Sequence, residues 1–178
     1  MGSGGMRQAA RGLALVVLAL AACGAPAPTA TGFRNPGQTI ASAALFDAAR
    51  FAGDWQVVAA YDPEAACGLL TEHWVPAGGA ARFRVGGTTC TRAGLRGMNR
   101  AARITGPGRM VRQGPMGDEA LWVLWVDADY RVAVIGTPSG SFGRILARDK
   151  TVRPDLLTAA REIMAFNGYD ISRLRLLQ

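Results

Sequence analysis

A chain of 178 residues, 49% of them hydrophobic, has material for one folded core with appendages and is too apolar for wholesale disorder. Its net charge of +7 is carried almost entirely by arginine, with Lys150 the single lysine. Arg82, Arg84, Arg92, Arg96, Arg100, Arg103, Arg109 and Arg112 are scattered through the middle of the chain rather than massed on one helix or stripe. That spread speaks against a nucleic-acid binder and for a solvated basic surface able to touch anionic lipid headgroups.

Residues 1–22 read as a signal peptide: Arg7 and Arg11 with no acid, then the apolar run Leu13 to Leu20, then Ala21 and Ala22 ahead of Cys23. The apolar run is too short to span a bilayer. Leu20-Ala21-Ala22-Cys23 looks like the lipobox of bacterial lipoproteins, a resemblance that implies acylation of Cys23 as the mature N-terminus. Gly24 in place of Asp is compatible, by the same resemblance, with an outer-membrane lipoprotein facing the periplasm. Without residues 1–22 the net charge is +5. Residues 23–39 are then the lipidated cysteine and a flexible tether, because the stretch from Gly24 to Thr39 is rich in Pro, Ala, Gly and Thr and has no periodicity. The folded domain is expected over residues 40–178.

From Gly53 the chain alternates short apolar runs with Gly, Pro and Asp. Strands are predicted at about 53–61, 69–75, 80–86, 94–105, 108–113, 119–127, 131–137 and 142–149, with Gly-Gly at 78–79 and 86–87 as turn and bulge glycines. No long helix interrupts them, so a parallel α/β sheet is excluded. The prediction is a mostly β fold: an eight-stranded antiparallel up-and-down barrel, which leaves no open edge. A helix follows over about 154–167, with Pro154 at its first position, Asp155 in its first turn and Gly168 as its stop. Its apolar side is expected to pack outside the sheet, and residues 171–177 read as a last short strand or extended tail.

With Cys23 acylated, Cys67 and Cys90 remain as an even pair in a secreted chain. In a meander the first-to-second and third-to-fourth connections share one end of the barrel, and each holds one of these cysteines. A Cys67–Cys90 disulfide at the open mouth is therefore expected. His73 stands alone and shares no strand face with Glu72 or Trp74, so neither a metal site nor a catalytic histidine is expected. No catalytic residue, no cofactor and no phosphate-cradling loop is read from the chain.

Three separated features resemble the lipocalins, and in particular their bacterial lipoprotein members. Phe46-Asp47-Ala48-Ala49-Arg50-Phe51-Ala52-Gly53-Asp54-Trp55 resembles the short opening helix and the Gly-x-Trp of the first strand. Asp127-Ala128-Asp129-Tyr130 is similar to the Thr-Asp-Tyr turn between the sixth and seventh strands, and Arg148 falls near the end of the eighth. Gly168-Tyr169-Asp170-Ile171-Ser172-Arg173-Leu174 completes a resemblance covering residues 46–178. The chain departs from the pattern in its aromatic-poor middle strands and in Gln56 after the Trp.

The resemblance implies that Gly53, Trp55 and Arg148 form a closed end in which guanidinium and indole pack together. Alternation then places Val57, Ala59 and Tyr61 inward with Trp55, and Phe142, Arg144 and Leu146 inward with Arg148. In the sixth strand the family pattern favours the row holding Val123 and Trp125. Arg144 is expected to meet the anionic head of a fatty acid or lysophospholipid, or else an internal acid, unless local register turns it to solvent.

The functional expectation is a membrane-anchored binding protein that holds a small hydrophobic or amphipathic ligand in its calyx, in lipid handling or envelope maintenance. Fatty acids such as palmitate, or lysophospholipids, are the ligands the resemblance suggests. The competing reading is a periplasmic β-barrel protease inhibitor, a protein-binding module. An enzyme on the same scaffold is the third. The residues carry no signal of oligomeric state.

Overall fold

The computed structural model describes residues 1–2, 32–79, 81–114 and 116–177. The signal-peptide reading and acylation of Cys23 lie outside the described residues. Strands β1 (Gly53–Ala60), β2 (Leu70–Pro76), β3 (Arg82–Thr91), β4 (Gly94–Gly106), β5 (Arg109–Gly114), β6 (Gly117–Val126), β7 (Val132–Gly136) and β8 (Gly143–Ala147) pair antiparallel in sequence order. β1 pairs with β2 on one side and β8 on the other, which closes an eight-stranded barrel. A ninth strand, β9 (Arg175–Leu176), pairs with Ala59 and Ala60 of β1, beyond the point where β2 begins.

Helix α1 (Ala48–Phe51) precedes β1 and plugs one end of the barrel. Asp47 caps it by accepting from the backbone N–H of Ala49 and Arg50. Phe51 points inward, fully buried, against Trp55 and Trp74. Helix α2 (Pro154–Phe166) starts near the closed end and lies outside the sheet; its buried Ala160 and Met164 pack with Val134, Ile145 and Leu124. The opposite end is the open mouth. There the disulfide Cys67–Cys90 ties the 3-10 turn Glu64–Cys67, between β1 and β2, to the end of β3.

Two apolar layers result. One fills the barrel with Trp55, Val57, Leu70, Trp74, Phe83, Met110, Leu121, Val123, Ile135 and Leu146. The other lies between the outer face of the sheet and α2, the N-terminal segment and the C-terminal turn.

Two β-bulges correct the predicted strand faces. Between Val57 and Ala59 the register of β1 against β8 shifts, so Val57 and Ala60 face the barrel core while Ala59 and Tyr61 join the outer layer. Between Val123 and Trp125 the register of β6 against β7 shifts likewise. Val123 stays inside, whereas Trp125 packs outside against the layer under α2. At this point Ala43 of the N-terminal segment hydrogen-bonds the carbonyl of Val123 (2.8 Å), beyond the start of β5.

The tether expected over residues 23–39 is corrected in its described part. Residues 33–38 are built into the domain. Phe33 stacks on Tyr61, with ring centroids 4.3 Å apart. Arg34 is buried, bridges Tyr169 in a β-bridge, and donates to the carbonyls of Asn167 (2.9 Å), Pro138 (2.7 Å) and Gln38. A buried guanidinium needs such acceptors, and backbone carbonyls supply them here. Strand β3 also runs past its predicted end at residue 86: Gly87 sits inside it with φ +126°, and a Cβ there would lie 2.1 Å from the carbonyl oxygen of Thr71. The Gly-Gly at 86–87 thus serves close approach of two strands, with no register shift there, rather than a turn or bulge.

Candidate functional site

The closed end is structural. Arg148, just past the end of β8, places its guanidinium 3.7 Å from the centroid of the Trp55 ring. It also donates to the carbonyls of Asp54 (2.8 Å), Arg50 (2.8 Å), Ala52 (2.9 Å), Phe51 (3.2 Å) and Tyr130 (3.3 Å). Gly53, with φ +103°, takes a left-handed conformation at the strand start, and a Cβ on it would lie 3.2 Å from Arg148 Nη1. Trp55 donates its indole N–H to Phe51 O (2.8 Å). Trp55 and Arg148 thus meet where the resemblance places them, together with Gly53.

Moving up β8, Leu146 lies in the filled core, and Arg144 faces inward about halfway to the mouth. Its guanidinium meets two carboxylates. Nε and Nη2 donate to the two oxygens of Glu64 (2.8 and 2.6 Å), and Nη1 donates to Glu72. The other oxygen of Glu72 accepts from the indole N–H of Trp74 (2.7 Å). Arg144 is 1% exposed and Glu72 0%. Burial alone would lower the Arg144 pKa. The charges and hydrogen bonds of Glu72 and Glu64 overcome that, and the net shift is upward. Of the partners expected for Arg144, the structure brings internal acids, Glu64 and Glu72, to its guanidinium.

Arg144 and Glu64 of this cluster form the floor of a cavity of about 310 Å³ at the mouth, and Glu72 is buried behind them. Phe142, Met98 and Met116 supply apolar wall, and Arg100, Arg112 and Glu119 supply charge. Phe142 is flanked by two guanidinia, with Arg112 4.0 Å and Arg144 5.0 Å from its ring centroid. Arg112 donates its Nε to Glu119 (2.7 Å), and Arg100 stands 3.8 Å from the same carboxylate. Two arginines therefore share one acid. Among the described residues, the remaining donors of Arg112 and all those of Arg100 have no hydrogen-bond acceptor. Burial, followed by repulsion from Arg112, lowers the pKa of Arg100.

The predicted calyx residues divide three ways. Phe142, Arg144 and Tyr61 border the cavity, although the Tyr61 ring belongs to the outer layer. Val57, Val123 and Leu146 point inside but are sealed in the core beneath the floor. Ala59 and Trp125 face outward. The calyx expected from the sequence is thus confined to a cavity at the mouth, over a packed lower barrel. Glu64, Glu72, Arg100, Arg112, Glu119 and Met98 were not anticipated. The one available signal was Arg144 itself, because a charge aimed into an apolar barrel demands an internal partner.

His73 sits on the outer face with its Nδ1 2.5 Å from Asp54. Among the described residues, no group of three or more His, Cys, Asp or Glu side chains is placed to hold a metal ion. No helix among them is long and apolar enough to cross a membrane.

Comparison with known proteins gives a consistent pattern. A family model described as a lipocalin-like domain matches residues 96–178, which run from β4 through α2 to the C-terminus. Temperature-induced lipocalin-1 of Arabidopsis thaliana is 42% identical over 53 residues, a match that spans 30% of this chain and 28% of that protein. Among solved structures, lobster apocrustacyanin A1 superposes with a TM-score of 0.56 at 16% identity, covering 72% of this chain and 77% of that one. The siderocalin Ex-FABP, described as functioning through dual ligand specificities, superposes with a TM-score of 0.54 at 17% identity, covering 72% and 89%. At such identities these structures establish the shared fold.

Proposed function

We propose that the chain is a lipocalin, on the strength of its barrel and its match to a lipocalin-like family model over residues 96–178, and that it binds a small amphipathic ligand with an anionic head, such as a fatty acid or lysophospholipid, in the cavity at its open mouth. Lipocalins are generally binding proteins for small hydrophobic molecules, and this reading needs no catalysis. The observation that carries it is the unequal sharing of Glu119. Arg100 and Arg112 line the cavity with spare donors and one carboxylate between them. A bound anion would supply the missing acceptor in a site partly shielded from water, where a charge-assisted hydrogen bond is strong. Phe142, Met98 and Met116 offer apolar surface to the rest of the ligand. The floor of Arg144 and Glu64, backed by Glu72, limits how far a chain can descend.

The proposal includes anchoring through an acylated Cys23 in the cell envelope, at the outer membrane facing the periplasm, with a role in lipid handling or envelope maintenance. Gly32 lies beside Gly140 in the β7–β8 connection at the mouth. Eight residues separate it from Cys23, a reach of at most about 30 Å. An acyl anchor there would keep the mouth close to its source of lipid. The packed lower barrel is the observation on the side of the competing protease-inhibitor reading, whereas the cavity at the mouth and the match to a lipocalin-like family model favour ligand binding. Native mass spectrometry of the protein purified from its membrane tests the ligand class. Retention of an anionic lipid or fatty acid is expected, and a protein that stays empty when offered either would overturn the proposal.

A further inference from the structure

The open rim carries more than the cavity. Leu69 precedes β2, Leu95 follows the β3–β4 turn, and Met116 lies in the β5–β6 turn; all three are exposed, Leu95 by 54% and Met116 completely. These connections lie at one end of the barrel. β3 and β4 pair from Arg82–Arg103 to Thr91–Gly94, yet β5 pairs with β4 only from Ala102 onward. The far half of the β3–β4 hairpin therefore stands out as a two-stranded ribbon, stapled near its tip by Cys67–Cys90. Its tip carries Leu95 between Arg92 and Arg96, both exposed and neither ion-paired among the described residues.

We propose that this rim is a docking surface for the anionic face of a lipid bilayer, with Leu95, Leu69 and Met116 entering the headgroup region and Arg92 and Arg96 meeting lipid phosphates. Three observations favour a bilayer over a second protein. The apolar residues come from separate connections around a central opening, so they offer projecting points rather than one contiguous face. Arginine beside an exposed leucine suits a surface that is apolar within and anionic at its boundary. The N-terminal segment that leads back to Cys23 also packs at this end, where the Phe33 N–H donates to Gly140 O of the β7–β8 connection (2.6 Å). The docking is independent of the ligand reading and requires no acyl group on Cys23.

The test is hydroxyl-radical footprinting, read by mass spectrometry, of the full chain alone and with vesicles of phosphatidylcholine, either pure or mixed with phosphatidylglycerol. Oxidation of Met116 and Leu95 is expected to fall severalfold on the mixed vesicles, while Leu45 and Val75 at the closed end keep their solution reactivity. Arg92→Glu with Arg96→Glu is expected to abolish that protection. Vesicle-bound protein whose Met116 and Leu95 react as in solution would overturn the docking surface and leave an N-terminal anchor standing. Failure to bind mixed vesicles, protection unaffected by the charge reversals, or protection that rises with protein concentration in the absence of lipid would overturn it equally, the last by revealing a second copy on the rim.

Discussion

Arg144 and Arg148 lie four residues apart along the β8 end of the chain, and their surroundings give them different work. Arg148 serves five backbone carbonyls and one indole face, all uncharged. Burial lowers its pKa, and Asp54 offsets this in part. Arg144 is held by two carboxylates that raise its pKa despite deeper burial. Arg148 is thus a fastener: it ties α1, the start of β1 and the β6–β7 turn to the end of β8. Its planar fork is what reaches so many acceptors, and lysine cannot reproduce that. Arg148→Ala is expected to destabilise the fold by about 3 kcal/mol, since hydrogen bonds from a charged donor and a guanidinium–indole contact are lost together. Arg148→Lys is expected to recover little of that loss. Thermal melts of the two variants check this, and an unchanged melting temperature for Arg148→Ala would contradict it.

Among the elements, the β7–β8 hairpin shows how a single contact joins distant parts of the chain. Gly136 and Gly143 face each other across it, and a Cβ on either would collide with the Tyr169 ring or hydroxyl. The absence of side chains lets Tyr169, from the turn after α2, press its hydroxyl onto the hairpin. There it accepts from Thr137 N–H (2.8 Å) and lies within donating distance of the carbonyls of Phe142 (2.8 Å) and Thr137 (2.9 Å). Burial raises the Tyr169 pKa to about 12. The unfolded chain ionises near pH 10, so the stabilisation from keeping this phenol neutral is complete below about pH 10 and is lost as the pH rises through about 12, by roughly 3 kcal/mol in all. Burial shifts Tyr61 upward as well and adds to the same alkaline loss. Urea midpoints between pH 8 and 12 should fall with a slope that is shallower in Tyr169→Phe. Identical slopes in the two proteins would remove Tyr169 from the account.

The same elements show what the sequence made legible. Strand order, the outer helix and the Cys67–Cys90 bridge follow from alternation, turn residues and the parity of a meander. They needed no knowledge of distant contacts. The faces of Ala59, Tyr61 and Trp125 were misread because bulges after Val57 and Val123 shift the register by one residue. Both bulges occur where a remote segment bonds to the strand. Leu177 donates to Val58 O (2.9 Å) and Ala43 to Val123 O (2.8 Å), and local periodicity holds no trace of either partner. Glu64 was out of reach for a similar reason: it comes from a connection, and only the closed barrel sets it over Arg144.

At the scale of the whole molecule, the barrel is sealed below and charged above. Phe51, Trp55 and Trp74 close one end, and the buried cluster of Arg144, Glu64 and Glu72 divides the packed interior from the cavity at the other. Three arginines and two glutamates line that cavity, with Glu72 buried behind Arg144, yet the charges are not evenly matched. Two carboxylates hold Arg144, and one is left for Arg100 and Arg112. On the proposed function, that imbalance would receive an anionic head, and Phe142 and Met98 beside it would receive an apolar body. The disulfide and the N-terminal residues from Phe33 to Gln38 brace the rim on opposite sides of the cavity wall, so the site is largely formed before any ligand arrives. Titration of the purified protein with a fluorescent fatty acid tests this most directly. Saturable binding is predicted, weakened about tenfold by Arg112→Ala, the loss of one charge-assisted contact, and left nearly intact by the outward Trp125→Phe. Binding that is unsaturable, or that Arg112→Ala leaves unchanged, would contradict the account.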